Sequence, residues 1–284
     1  MKRRQMLWGS AGLLGGAATG PSQAQALALA QGTVDPADQA LKAALAAPHR
    51  TPAFVARDAW RHPYETLRFF GLQPGQTVVE LSPGGGWYTE ILAPLLRDQG
   101  QLILGANDPE SIHAYYRRAT ERLKAKLDAG PEVYGRVKLS VFEPPARLQF
   151  AAPGSVDLVL TFRNVHNWAA EGDAVVLAVF KSVHEALKPG GVFGVVDHRL
   201  PANRAQDAKA SSGYLQVAYV RRLAEAAGLR LDAASEVNAN PKDSADHPGG
   251  VWALPPSYAN QDADRARYAA IGESDRFTLR FVKP

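Results

Sequence analysis

Residues 77–90 constrain the chain more than any other stretch: Thr-Val-Val-Glu-Leu-Ser-Pro-Gly-Gly-Gly-Trp-Tyr-Thr-Glu. Val78 and Val79 sit in a short apolar run of the kind a buried parallel strand presents. Gly84, Gly85 and Gly86 then form a turn with no Cβ in the way, and residues 87–96 read as a helix. In doubly wound α/β folds this succession brings a nucleotide against backbone N–H groups and a helix N-terminus. Glu80 falls at the strand's carboxyl end, the edge at which such folds bind ligands. A glycine turn also arises for steric reasons alone, so its neighbours carry the decision.

At 284 residues and 46% hydrophobic content the chain is able to bury one sizeable core, as a single α/β domain does. Its formal charge is +4, but Lys2, Arg3 and Arg4 supply three of the positives. Without them 29 basic residues face 28 acidic ones, which is not a nucleic-acid footprint. There are no cysteines, which excludes disulfides and thiolate catalysis.

Residues 1–26 have the layout of an export signal. Lys2-Arg3-Arg4 is a basic start, residues 7–20 are apolar and rich in Gly and Ala, and Ala24-Gln25-Ala26 is a small-x-small cleavage site. The Arg3-Arg4 pair resembles the twin-arginine motif, which predicts a periplasmic protein. The apolar run is too short and broken for a permanent membrane anchor. Residues 27–70 follow as a helical lead-in or lid: a loosely packed Ala/Leu-rich helix, then a segment with Arg57, Asp58, Arg61 and His62, then a helix over 64–70. That charged cluster reads equally as a solvated face with local ion pairs.

Residues 71–284 alternate between strand and helix patterns. A second strand over 100–106 ends in Asn107-Asp108. A carboxylate there offers lone pairs to both ribose hydroxyls, or caps a helix over 110–127, and the two roles are compatible. Residues 136–142 form a third strand followed by Glu143, and residues 156–162 a fourth. The fourth ends in Thr-Phe-Arg-Asn-Val-His-Asn-Trp (161–168), a concentration of polar groups that is costly to bury unless it serves a ligand. Asp173 is the natural N-cap of a helix over 174–187, and Lys188-Pro189-Gly190-Gly191 turns into a fifth strand ending in Asp197-His198-Arg199. A helix over 214–227, a strand over 230–237, an insertion over 238–271 anchored by Trp252 and Tyr258, and a last strand over 276–282 complete the chain.

The spacing Glu80-x-Ser82-x-Gly84-x-Gly86 resembles the signature of class I S-adenosylmethionine-dependent methyltransferases, with Ser82 where a glycine is usual. Serine disfavours positive φ, so this is a departure with a physical cost. Together with residues 161–168 and Asn-Ala-Asn-Pro-Lys-Asp (238–243), the chain is similar to a bacterial family of exported methyltransferases of unassigned substrate. The resemblance implies an α/β, Rossmann-like fold with a seven-stranded, mostly parallel sheet of order 3-2-1-4-5-7-6 and helices on both faces. It also implies S-adenosyl-L-methionine as cofactor and no metal. Glu80, Ser82, Gly84, Gly85, Gly86, Asp108 and Glu143 are the expected cofactor contacts, with Glu143 near the adenine amino group. Glu80 would organise the loop or receive the cationic amino group of the methionine part.

The reacting centre is expected at the ends of strands four and five, where His166, Arg163, Asn164 and His198 converge, with His62 a further candidate. Histidine is the natural base near neutral pH, and the planar fork of Arg163 suits an anionic part of a small-molecule acceptor. Two other functions fit the same residues. His62, His166 and His198, with Asp197, would make a metal or acid–base site for a lyase or hydrolase. Alternatively, Trp87, Trp168 and Trp252 would stack on a small ligand without catalysis.

Overall fold

The computed structural model describes residues 35–284, so the expected export signal lies outside the described residues. The lead-in carries four helices: α1 (Pro36–Leu45), α2 (Pro52–Val55), α3 (Asp58–Arg61) and α4 (Pro63–Phe70). Then follow β1 (Thr77–Leu81), α5 (Thr89–Leu96), β2 (Gln101–Ala106), α6 (Ala114–Asp128), α7 (Pro131–Tyr134), β3 (Lys138–Val141) and β4 (Val156–Phe162). The chain continues through α8 (Val165–Glu171), α9 (Asp173–Ala186), β5 (Leu187–His198), α10 (Val217–Ala226) and β6 (Arg230–Ser235). A 3-10 turn (Gly250–Ala253), α11 (Arg265–Ile271) and β7 (Arg276–Val282) complete it.

The seven strands form one sheet of order β3-β2-β1-β4-β5-β7-β6, in which β7 runs antiparallel to both of its neighbours. This is the expected topology. The sheet is covered on both faces, and each central strand divides its side chains between them. Val79, Leu81, Val159, Phe193 and Val195 pack against α8, α9 and α10. Val78, Leu158, Leu160, Val192 and Val196 pack with α1, α4, α5 and α6. That division explains why these strands read as continuous apolar runs rather than alternating ones. Each fully buried Leu, Val or Phe removes enough apolar surface to contribute about 1.5–3 kcal/mol.

Several local expectations change. The first helix is not loosely packed: Leu41 and Ala44 of α1 are buried in the core over α5. Asp173 does not cap α9 from outside; it is the first helical residue, and its carboxylate accepts from Tyr219 Oη (2.9 Å) and Arg222 Nη2 (2.9 Å). Helix α6 begins at Ala114 because residues 108–111 form a turn held by the Asp108 side chain, which accepts from Glu110 N at 2.8 Å. In the insertion, Ala253, Leu254 and Tyr268 make a small core of their own with Tyr258 packed against it. Trp252 is no buried anchor; it is 38% exposed.

Because β1, β2, β3, β4 and β5 are mutually parallel, their carboxyl ends share one edge. Residues 82–88, 107–108, 143, 163–168 and 198 therefore meet there. The lead-in is tied to the same edge. Thr51 donates to the buried Glu90 carboxylate through N (2.9 Å) and Oγ1 (2.6 Å), Arg50 pairs with Asp58 through two bonds of 2.6 and 2.9 Å, and Trp60 covers Gly272 so closely that any Cβ there would collide with it.

Candidate active site

Two cavities open along the strand ends and share a wall formed by Ser82, Pro83, Gly84, Tyr115, Asn164 and Asn167. The first, about 310 Å³, lies over the ends of β1, β2 and β3 and is bordered by Trp168 and Glu171 of α8. The second, about 470 Å³, lies over β4 and β5 and under the lead-in, with Arg57, Arg61, Arg163, His166, His198 and Trp252 in its walls.

The glycine turn shapes the shared wall. Ser82, Gly84 and Gly86 have φ of 52°, 58° and 78°. A Cβ on Gly84 would meet no protein atom within 4 Å, so what glycine preserves there is the left-handed backbone and the open space of the cavities. Ser82 adopts the conformation that its residue type disfavours, a strained placement of the kind found at binding sites. Asn164 holds it: Nδ2 donates to Leu81 O (3.1 Å), Ser82 O (3.3 Å) and Thr161 Oγ1 (3.0 Å). The amide nitrogen of Asn164 thus fastens the end of β4 to the end of β1 rather than being free for an acceptor.

The predicted cofactor residues divide. Ser82 and Gly84 line both cavities, Gly85 and Glu80 the second, and Glu143 the first. Gly86 lines neither and serves the turn, donating to Pro83 O at 3.0 Å. Asp108 also lines neither; its neighbour Asn107 takes the wall position after β2, and Asp108 holds the turn over 108–111 rather than capping α6, which starts at Ala114. Glu143 is itself committed, accepting from Asp108 N (2.9 Å) and Ser111 Oγ (2.6 Å), so it fixes the loop after β2 as well as forming wall. Glu80 is buried and accepts from Thr89 Oγ1 at 2.7 Å; burial pushes its carboxyl up to about 8, so it is largely protonated at neutral pH.

The predicted reacting residues also divide. His166, Arg163 and His198 face the second cavity together. His62 is not brought to it: this residue links α3 to α4 in the left-handed region (φ 41°) and lines neither cavity. Asp197, to which the sequence reading gave no role of its own in the methyltransferase site, is the organising group. It is completely buried, and its carboxylate accepts from His166 Nδ1 (2.8 Å), His166 N (3.3 Å) and His198 N (2.8 Å). A carboxylate on Nδ1 fixes that nitrogen as the donor and leaves Nε2 of His166 as the acceptor toward the cavity. His198 packs against His166 with ring centres 5.1 Å apart and is bonded through Nδ1 to Ser274 Oγ (2.6 Å). Burial first, then the neighbouring His166 and Arg163, hold its pKa well below the ordinary histidine value, so it is neutral. His166, Asp197 and His198 each present one ligand atom within 4.8 Å of the others, so a cation fits by distance, though the Asp197 carboxylate already accepts three hydrogen bonds.

Glu273 and Ser274 were invisible in the sequence because the partners that bring them to the site, Arg57, Arg61 and His198, lie more than 75 residues away. Asn-Ala-Asn-Pro-Lys-Asp (238–243) explains their placement. Asn238 Nδ2 donates to Thr66 Oγ1 and Thr278 Oγ1, Asn240 Nδ2 to Ile271 O and Glu273 O, and Asp243 accepts from Asp275 N and Tyr214 Oη. The motif is a clip that holds residues 271–275 against the site.

No protein-family model matches the chain. A protein of Synechocystis sp. described as an uncharacterized methyltransferase is 30% identical over 142 residues, 48% of this chain and 54% of that protein. The chain thus spans about half the length of the curated relative it matches. A S-adenosylmethionine-dependent methyltransferase from Aquifex aeolicus superposes with a TM-score of 0.53 at 15% identity, covering 89% of this chain and all of that one. The fold is that of class I methyltransferases. The cyclase SpnF has the same fold by the same measure, with a TM-score of 0.52 at 16% identity over 87% of this chain and 92% of its own. The reaction must therefore be argued from the site.

Glu80 yields a prediction that needs no ligand. Its carboxyl is near 4.5 when the chain unfolds and near 8 when folded. The folded state binds the proton more tightly, so this contribution to stability is complete below about pH 4.5 and is lost as pH rises toward 8. Chemical denaturation should show unfolding free energy falling by up to about 1.4 kcal/mol per pH unit between pH 5 and 8, relative to Glu80→Gln. Parallel pH profiles for the two proteins would show that Glu80 ionises normally.

Proposed function

We propose that the chain is a S-adenosylmethionine-dependent methyltransferase acting on a small-molecule acceptor, with His166 as the base. The observation that carries this reading is the 2.8 Å contact between Asp197 and His166 in the wall of a cavity that adjoins the glycine-turn cavity.

The first cavity fits the cofactor on three counts: the left-handed turn at Ser82 and Gly84, the polar wall of Asn107 and Glu143 at the ends of β2 and β3, and the indole of Trp168. Ser82, Gly84, Asn107, Glu143 and Trp168 would hold the nucleoside, and Glu80 stands beside the turn on the side of the second cavity. When bound, S-adenosylmethionine supplies an electrophilic methyl group. The protein's own part is acid–base and positional. Asp197 keeps the Nδ1 proton of His166 in place and stabilises the imidazolium once Nε2 has taken a proton from an acceptor hydroxyl or amine. Neutral His198, fixed by Ser274, fills the space beside it without adding charge. Trp252, Pro255 and Pro256 of the insertion and Phe54 of the lead-in form the outer wall of the cavity.

The lyase or hydrolase alternative draws on the same histidines, but the carboxylate that a metal would need is occupied by three hydrogen bonds. We further propose that the protein is exported through the twin-arginine route, on the strength of Arg3-Arg4, the apolar run and Ala24-Gln25-Ala26. Among the described residues, no helix is long and apolar enough to cross a membrane.

Transfer of a labelled methyl group to the small molecules of a cell extract tests the reaction. His166→Ala and Asp197→Asn should each lower it by about 10²-fold or more, with the affinity for S-adenosylhomocysteine unchanged in His166→Ala. Stoichiometric metal in the wild type that disappears in His166→Ala would favour the hydrolytic alternative, and full transfer by both variants would remove His166 from the chemistry. For export, Arg3→Lys with Arg4→Lys should leave a full-length precursor in the cytosol. A mature form outside the cytosol would refute the twin-arginine route.

A further inference from the structure

The second cavity carries more positive charge than its own acids balance. Arg57, Arg61 and Arg163 line it, and Arg276 lies directly behind. Against these four guanidinium groups stand Glu273, Asp197 beneath the histidines, and Glu80, which lines the same cavity but which burial keeps largely protonated at neutral pH despite the pull of Arg163. Glu273 is shared. It accepts from Arg57 Nε (2.6 Å), Arg61 Nε (3.2 Å) and Arg276 Nη1 (3.0 Å). Burial pushes its carboxyl up, but the joint pull of Arg61, Arg276, Arg163 and Arg57 overcomes this and holds it at about 2. Arg57 and Arg61 reach Glu273 through Nε alone, which leaves their terminal nitrogens without a side-chain partner among the described residues. The Arg163 guanidinium has no hydrogen-bonding partner at all among them, and its backbone is in the left-handed region (φ 62°). Arg61 is only 3% exposed and lies over the Trp87 ring at 4.7 Å. Desolvation first, then the neighbouring arginines, hold both Arg61 and Arg163 below the usual guanidinium range.

Gathering four guanidinium groups around one shared carboxylate is unfavourable unless a further anion completes the set. We infer that the acceptor is an oxyanion, a small molecule whose carboxylate or phosphate group is held by Arg163 with the terminal nitrogens of Arg57 and Arg61. The inference rests on the methyltransferase reading only for the word acceptor; the anion site stands on the charges themselves. The planar guanidinium fork matches either group in a bidentate contact. Phe54, Tyr88, Phe162 and Trp252 in the same walls suit an apolar, planar body attached to that anionic end, with the group to be deprotonated toward His166.

Direct binding tests this without reference to catalysis. Benzoate, its neutral isostere benzamide, and inorganic phosphate are titrated into the full chain by calorimetry, with the fluorescence of Trp87 and Trp252 as a second readout. Benzoate or phosphate should bind one to one and at least about 10-fold more tightly than benzamide. Tighter benzoate identifies a carboxylate acceptor, and tighter phosphate a phosphorylated one. Arg163→Gln should weaken the anion by about 10-fold or more and leave benzamide and S-adenosylhomocysteine unchanged, with Arg163→Lys restoring part of the loss. Anions that bind no better than benzamide, or an Arg163→Gln protein that melts normally and binds them as the wild type does, would overturn the proposal. Loss of S-adenosylhomocysteine binding alone, with the anion preference intact, would count against the methyltransferase reading and leave the anion site standing.

Discussion

The site depends on one buried carboxylate. Asp197 sits at the next-to-last position of β5, where it has no access to water, and three donors surround it: the His166 ring and the backbone N–H groups of His166 and His198. A charge in that position is tolerated because three hydrogen bonds converge on it. The same bonds fix the start of α8 against the end of β5 and set the tautomer of His166. Removing the charge would therefore disturb the chemistry and the local packing together. This explains why the polar residues after β4 and after β5 belong to a single unit although 31 residues separate His166 from Asp197.

A second carboxylate, Glu273, does for the far wall what Asp197 does for the floor. It gathers Arg57 and Arg61 from the lead-in and Arg276 from β7. It is placed by the clip at residues 238–243, so a motif that looks like a loop signature is a structural fastening between the insertion and the first residues of β7. The lead-in is consequently not an appendage: Trp60 over Gly272 and Arg276 on the Trp60 carbonyl bind it to the same segment.

What could be read from the sequence follows the range of the forces involved. Strands β4 and β7 were legible to the residue because apolar runs bounded by turn residues are local signals. The glycine turn and the strand order followed from local spacing and from resemblance. The approach of His166 to His198 was legible because both stand at the carboxyl ends of adjacent parallel strands. The role of Asp197, by contrast, depends on which way its side chain leaves the strand. Asp173, Asp108 and Trp252 were misplaced for a related reason: a tyrosine 46 residues away, a turn and a cavity claimed them, and propensity carries none of that information. His62 shared the chemistry of the other histidines and lacked only position.

A fold that also supports a cyclase leaves the decision with the ligand and its place. The central claim is that a nucleoside cofactor occupies the cavity over the ends of β1, β2 and β3 and meets its acceptor beside His166. Hydrogen exchange with and without S-adenosylhomocysteine tests it most directly. The account predicts slowed exchange confined to residues 82–88, 106–123, 142–143 and 164–175, with the clip at 238–243 and the β6–β7 edge unchanged. Protection elsewhere, or none at saturating ligand, would contradict it.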